Sequence, residues 1–159
     1  FNLIGPLSSP AKVKRQVIGV FEKKWLKPFA EALNENDVEH AYIVHSDDGM
    51  DEISPFAKTN VVELKDGKIN EFTINPKDLG INEGDKENLK GKNAEYNAEK
   101  IIDIYKGNSN EFSQSVALNA AAGLIVSGKE NDFKKAFDRA TKHLSSGKVF
   151  EYLTKLQSK

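Results

Sequence analysis

The chain has 159 residues, 38% hydrophobic and 30% charged, with a formal net charge of −1. That length predicts one domain burying roughly 68–70% of its unfolded surface, and the near-neutral balance offers no bulk attraction to nucleic acid or anionic membrane. Cysteine is absent, which excludes disulfides and thiolate metal sites and suits a cytoplasmic setting; no apolar run approaches the ~20 residues of a spanning helix.

The chain opens on Phe1-Asn2-Leu3-Ile4 without a methionine, which reads as a cut within a longer protein. Gly5-Pro6 and Ser8-Ser9-Pro10 punctuate turns. Lys12, Lys14 and Arg15 read as a solvated basic face. Gln16 to Phe21 is a short apolar run of buried-strand type. From Glu22 to about Asn36, Trp25, Leu26, Phe29, Ala30 and Leu33 repeat at helical spacing. Pro28 is tolerated only near a first turn, so this helix is expected to begin late. His40 to Val44 predicts a second buried strand. Strand, helix and strand within about 30 residues make a βαβ unit with parallel strands.

That second strand runs into an unusual loop. Asp47, Asp48, Asp51 and Glu52 surround Gly49. Four carboxylates in six positions repel one another, which does not favour the loop's stability. A divalent cation with phosphate oxygens on its far side would relieve the repulsion, and magnesium is usually held this way. Ligands bind at the carboxyl ends of strands in open α/β sheets. The alternative is a solvated acidic turn. A calcium loop does not fit, because placing Gly49 at the sixth position puts Val44 first, where a carboxylate is needed. His45 ends the strand that feeds this loop and is a candidate for contact with a bound anion. His40 reads as a rim residue. His143, late in a helix, suits the dipole there. Ser54 has no partner for nucleophilic catalysis, and no catalytic residue is assigned.

Two further runs, Val61–Leu64 and Ile69–Ile74, flank Asp66-Gly67, a strong hairpin signal. Strands are thus expected near 16–21, 39–45, 60–65 and 69–74. Residues 77–92 read as a long polar loop with one short helical turn. A helical group follows from about residue 93. Ala94, Ala98, Ile101, Ile102 and Tyr105 form a first stripe, stopped by Gly107. Val116 to Val126 is apolar nearly all round and predicts a central buried helix. Phe133, Ala136, Phe137, Ala140 and Leu144 mark an amphipathic helix ending at Gly147. Val149, Phe150, Leu153 and Leu156 mark a last short one. Asn97 and Asn119, set in apolar helical stretches, are expected to tie helix to loop. The fold class is α/β, a partial mixed and mostly parallel sheet with a β-hairpin and a C-terminal helical group.

In order along the chain, these segments resemble the anthranilate phosphoribosyltransferase family. Phe1-Asn2-Leu3-Ile4-Gly5-Pro6-Leu7-Ser8-Ser9-Pro10-Ala11 looks like that family's FN-x-x-GPL-x-NPA segment, with Ser9 replacing the commoner asparagine. Val44 to Ser54 resembles its VHG-x-DG-x-DEIS segment, with Ser46 where glycine is usual. Asn97-Ala98, Val116 to Ala122, and Ser146-Gly147-Lys148 match its C-terminal helical motifs.

The resemblance implies a C-terminal portion, residues 1–159, of the α/β domain shared by phosphoribosyltransferases and nucleoside phosphorylases. The N-terminal helical domain and the first half of the α/β domain would lie upstream, with the pyrophosphate loop. It implies transfer of phosphoribose from phosphoribosyl pyrophosphate to anthranilate in tryptophan biosynthesis, with Asp51 and Glu52 as magnesium ligands. It further implies a cytoplasmic homodimer when intact, and an isolated chain that is inactive without its missing half. Neither nucleic acid nor membrane is expected as a partner. The other readings are a pyrimidine nucleoside phosphorylase-like relative and a non-catalytic folded fragment.

Overall fold

A computed structural model describes residues 4–81, 84 and 86–158. Its elements are α1 (Ile4–Leu7), β1 (Arg15–Gly19), α2 (Leu26–Glu35), β2 (His40–Ser46), β3 (Thr59–Lys65), β4 (Lys68–Ile74), α3 (Ala94–Tyr105), α4 (Glu111–Val126), α5 (Phe133–Ser145) and α6 (Lys148–Gln157). The four strands stand in the order β1-β2-β3-β4. β1 and β2 are parallel, whereas β2–β3 and β3–β4 are antiparallel. The sheet is mixed as expected, but one pairing of three is parallel rather than most. Only the βαβ unit at the start requires a crossover, and the hairpin and acidic loop reverse the chain.

Local signals explain most of these elements. Leu26, Phe29, Ala30 and Leu33 recur at i, i+3, i+4 and i+7 on α2 and are all buried. Pro28 sits in the first turn, after a short 3₁₀ segment at Lys23–Trp25, so no interior helical N–H is lost. Asp66 and Gly67 both take positive φ, 49° and 77°, the two-residue turn whose twist matches its strands.

The centre of the sheet is covered on both faces, while β4 is largely exposed. Strand alternation sends Ile18, Val20, Ala41, Ile43, Val62 and Leu64 against α2. The opposite face sends Tyr42, Val44, Val61 and Ile74 against α4 and α5. β2 is therefore buried along nearly its whole length.

Five readings of the sequence are corrected here. Gly5-Pro6 lies within a single helical turn, α1. The segment 77–92 holds two short 3₁₀ turns, Pro76–Leu79 and Lys86–Leu89. On α3 the buried residue is Ile104, while Ala94, Ala98 and Ile101 are exposed. That helix meets α5 and α6 along a narrow line, which its apolar stripe alone did not locate. α4 is buried on the sheet side but leaves Val116, Ala120 and Gly123 exposed. Finally, His40 is buried rather than at the rim. Its Nε2 lies 2.8 Å from Glu63 Oε1, and Tyr42 meets its ring edge-on.

The basic face is only partly solvated. Arg15 donates to the carbonyl of Val126 at 3.0 Å and pairs with Glu39 at 3.5 Å. A cation is favoured where α4 ends in unpaired carbonyls.

Candidate active site

The loop after β2 divides its four carboxylates into two pairs. Asp47 accepts a hydrogen bond from Asn60 Nδ2 at 2.7 Å. Asp48 accepts from the Ser54 hydroxyl at 2.6 Å and from the Met50 amide at 3.3 Å. These two acids fasten the loop. Among the described residues the side chains of Asp51 and Glu52 have no hydrogen bond or ion pair, and both residues are exposed. Two adjacent carboxylates without partners are thus left facing solvent.

They do not hang freely. Ile53, fully buried, follows them, and its N–H donates to Asn119 Oδ1 at 3.0 Å while Asn119 Nδ2 donates to its carbonyl at 3.1 Å. A carboxamide from α4 thereby pairs with Ile53 as a neighbouring strand would. Asn119 Nδ2 also reaches the Ser115 carbonyl one turn back, at 2.9 Å, which fixes the amide's orientation. The expectation that Asn119 ties helix to loop holds. Asn97 does the same for α3, accepting from the Lys92 amide at 2.9 Å, although it is exposed rather than set in an apolar surround.

Asp51 and Glu52 line a cleft of about 590 Å³, together with Val17 and Gly19 of β1 and Ser115 and Asn119 of α4. The cleft opens at the carboxyl ends of the two parallel strands, the position the sequence predicted. A second cleft, of about 550 Å³, lies between α4 and α5 and is mostly apolar. It holds no carboxylate, so the acidic chemistry belongs to the first. Among the described residues no three His, Asp or Glu side chains cluster as a metal cage. Two free carboxylates fit a magnesium ion that takes its other ligands from water and substrate phosphate.

His45 stands elsewhere. Strand alternation turns its side chain to the face opposite Val44, and it is not among the residues lining the acidic cleft. Its Nδ1 lies 2.8 Å from the Val20 carbonyl. A carbonyl only accepts, so Nδ1 carries the proton and Nε2 is left open. Phe1 to Leu3, which open the first matching segment, lie outside the described residues.

Gly19 was not singled out from sequence, yet a Cβ there would stand 1.6 Å from the Asp51 carbonyl oxygen. The loop crosses β1 so closely that only hydrogen fits. A glycine within a strand pattern marks such an approach, and that was the available signal.

The whole chain has counterparts among known proteins. A relative from Pelagibacter ubique (strain HTCC1062), an anthranilate phosphoribosyltransferase, is 58% identical over 158 residues, covering 99% of this chain and 48% of its own length. One from Azospirillum brasilense, of the same name, is 44% identical over 99% of this chain and 44% of its own. The crystal structure of anthranilate phosphoribosyltransferase from Thermus thermophilus superposes with a TM-score of 0.84 at 34% identity, over 96% of this chain and 45% of that one. The Saccharomyces cerevisiae enzyme in complex with PRPP and Mg shares the fold, with a TM-score of 0.82 at 22% identity, over 95% and 44%. The chain therefore spans about half the length of the relatives it matches. Residues 1–150 match the family described as "Glycosyl transferase family, a/b domain", and the chain belongs to that family.

Proposed function

We propose that this chain is the metal-binding part of an anthranilate phosphoribosyltransferase, which joins phosphoribose to the amine of anthranilate. The observation that carries this reading is the pair Asp51 and Glu52, exposed at the strand ends with side chains unpartnered among the described residues, in a chain 58% identical to an enzyme of that name. In the reaction the amine nitrogen bonds to the ribose C1, the C1–O bond breaks, and pyrophosphate departs with its electrons. The amine loses a proton. Magnesium, when bound with the pyrophosphate, neutralises the departing oxygens. The chain's own part is to present two carboxylates that face solvent and to hold their main chain still. An enzyme of the same fold, from Saccharomyces cerevisiae, is described with PRPP and Mg, which supports magnesium as the ion.

His45, whose side chain does not line the acidic cleft, is assigned no substrate contact in this reading. The rest of the active site, including the groups that cradle pyrophosphate and anthranilate, belongs to the part of the enzyme not represented in this chain. We place the whole enzyme in the cytoplasm as a homodimer, on the resemblance.

Anthranilate fluorescence tests the reading. With both substrates and magnesium, the isolated chain should leave the signal constant. Adding the segment of the Pelagibacter relative that lies outside its match to this chain should make the signal fall. Asp51→Asn/Glu52→Gln should abolish that fall. Turnover by the isolated chain, or turnover that survives the double substitution, would overturn the assignment.

A further inference from the structure

The main chain of Glu52 and Ile53 is held from two separate elements and that of Asp51 passes close against a third, while among the described residues the side chains of Asp51 and Glu52 have no partner. From β2, the Ser46 hydroxyl donates to the Glu52 carbonyl at 2.6 Å. From α4, Asn119 pairs with both polar groups of Ile53. From β1, Gly19 lets the Asp51 carbonyl approach to a distance at which any Cβ would collide. Glu52 and Ile53 are therefore held by hydrogen bonds, and Asp51 lies where only a glycine on β1 admits it.

Ser46 is the most telling of these. It is fully buried and does not line the cleft, so it touches no ligand there. Its single hydroxyl proton goes to Glu52, so the Thr59 hydroxyl, 2.6 Å away on the facing strand, donates to Ser46. The Ser54 amide, at 3.2 Å from both oxygens, donates into the same pair. A buried hydroxyl pair with every hydrogen placed has one geometry, and that geometry sets where Glu52 sits. Ser46 also stands where the family resemblance led us to expect glycine, which has no hydroxyl. This chain has a fastening that a glycine could not make.

Two like charges side by side move apart unless something holds them. Anchoring through the side chains would consume the very oxygens a cation needs. Anchoring through the main chain leaves those oxygens free and still limits how far the carboxylates can drift. From this arrangement we infer that Ser46, with Asn119 and Gly19, is a positioning residue that presents Asp51 and Glu52 to a divalent cation carrying a diphosphate. The inference rests on the metal-binding reading above and adds the residues that make the pair competent.

The test uses the 159-residue chain, with Mn²⁺ and inorganic pyrophosphate as probes and bound Mn²⁺ read by electron paramagnetic resonance. Four proteins are compared: the parent chain, Ser46→Ala, Ser54→Ala, and Asp51→Asn/Glu52→Gln. Ser54→Ala breaks the Asp48 fastening in the same loop but leaves the hold on residues 51–53 in place, so it controls for a general loss of order. Thermal unfolding of each confirms folding. Ser46→Ala should weaken Mn²⁺–pyrophosphate binding about three- to tenfold, the scale of one hydrogen bond's net contribution, with Ser54→Ala close to the parent. If the double substitution abolishes binding while Ser46→Ala binds like the parent, the positioning role is overturned and the metal reading stands. Equal weakening by Ser54→Ala also overturns it, since the effect is then general loosening. Binding that the double substitution leaves unchanged overturns both.

Discussion

Asn119 and Ile53 satisfy each other completely, with the amide of one accepting from and donating to the main chain of the other at 3.0 and 3.1 Å. They are 66 residues apart in sequence, so this pair joins the acidic loop to the helical group across the whole domain. Ile53 is fully buried, and water cannot replace the bonds that Asn119 makes. Asn119→Leu keeps the size and removes both partners. It should destabilise the chain by about 1–3 kcal/mol, the cost of leaving buried main-chain groups unmet. Urea unfolding measures this directly, and a midpoint equal to the parent's would show that the pair contributes nothing.

The division of the four carboxylates makes a second prediction. Asp48→Ala removes the acceptor for Ser54 Oγ and for the Met50 amide, and should cost about 1–2 kcal/mol. Asp51→Asn/Glu52→Gln removes no bond and should stay within about 0.5 kcal/mol of the parent, as exposed substitutions usually do. The two variants should then differ oppositely in metal binding: the first weakened only as far as the loop loosens, the second abolished. Comparable destabilisation by both would mean that Asp51 and Glu52 carry a structural load.

Much of this arrangement was readable in advance, and the reasons are specific. The α2 face and the Asp66-Gly67 turn depend on near neighbours in the chain, so periodicity and turn chemistry located them. The acidic loop announced itself through charge density. Charge density alone does not say which two of its acids remain free; the family resemblance points to Asp51 and Glu52, and Asn60 and Ser54 engage the other two from positions set by the fold. The same holds for His40. Its burial follows in part from Glu63 arriving beside it from β3, and strand pairing is non-local. On α3, apolar spacing named a stripe, but which residue is buried depends on where α5 and α6 lie. A βαβ signal at the start says nothing of how later strands return, so the sheet holds fewer parallel pairs than that signal suggests.

Alkaline pH provides a third prediction, through Tyr42. Burial, and secondarily the nearby Glu63 carboxylate, push its phenol well above the ordinary value. The native state then keeps this proton at pH values where the unfolded chain has released it. Stability from this group is complete below about pH 10, the ordinary tyrosine value, and falls as pH rises from there toward the raised native value. Tyr42→Phe cannot ionise and should flatten the decline in unfolding midpoint above about pH 10. An identical alkaline decline in both proteins would assign the loss to other groups.

Gly19 gives the most local prediction. It pairs in register with Val44 on β2, and its vacant side-chain position faces the Asp51 carbonyl. A methyl group there would lie 1.6 Å from that oxygen, with the Asp51 carbonyl carbon next at 2.6 Å. Both obstacles are main chain, so no rotamer change relieves the collision, and either β1 or the loop must move. β1 is held along its length by its pairing with β2, and the loop has the shorter span to shift. Gly19→Ala should therefore displace Asp51 and cost about 1–3 kcal/mol, as overpacking usually does. Conformation alone does not explain such a loss, because Gly19 is not among the glycines with positive φ. Gly49 offers the contrast. It takes φ 91° with nothing within 4 Å of a built Cβ, so Gly49→Ala strains the backbone without striking the loop's neighbours. Titrated with Mn²⁺ and pyrophosphate, Gly19→Ala should bind more weakly than Gly49→Ala. The reverse order would place the loop's critical constraint at its tip rather than where it crosses β1.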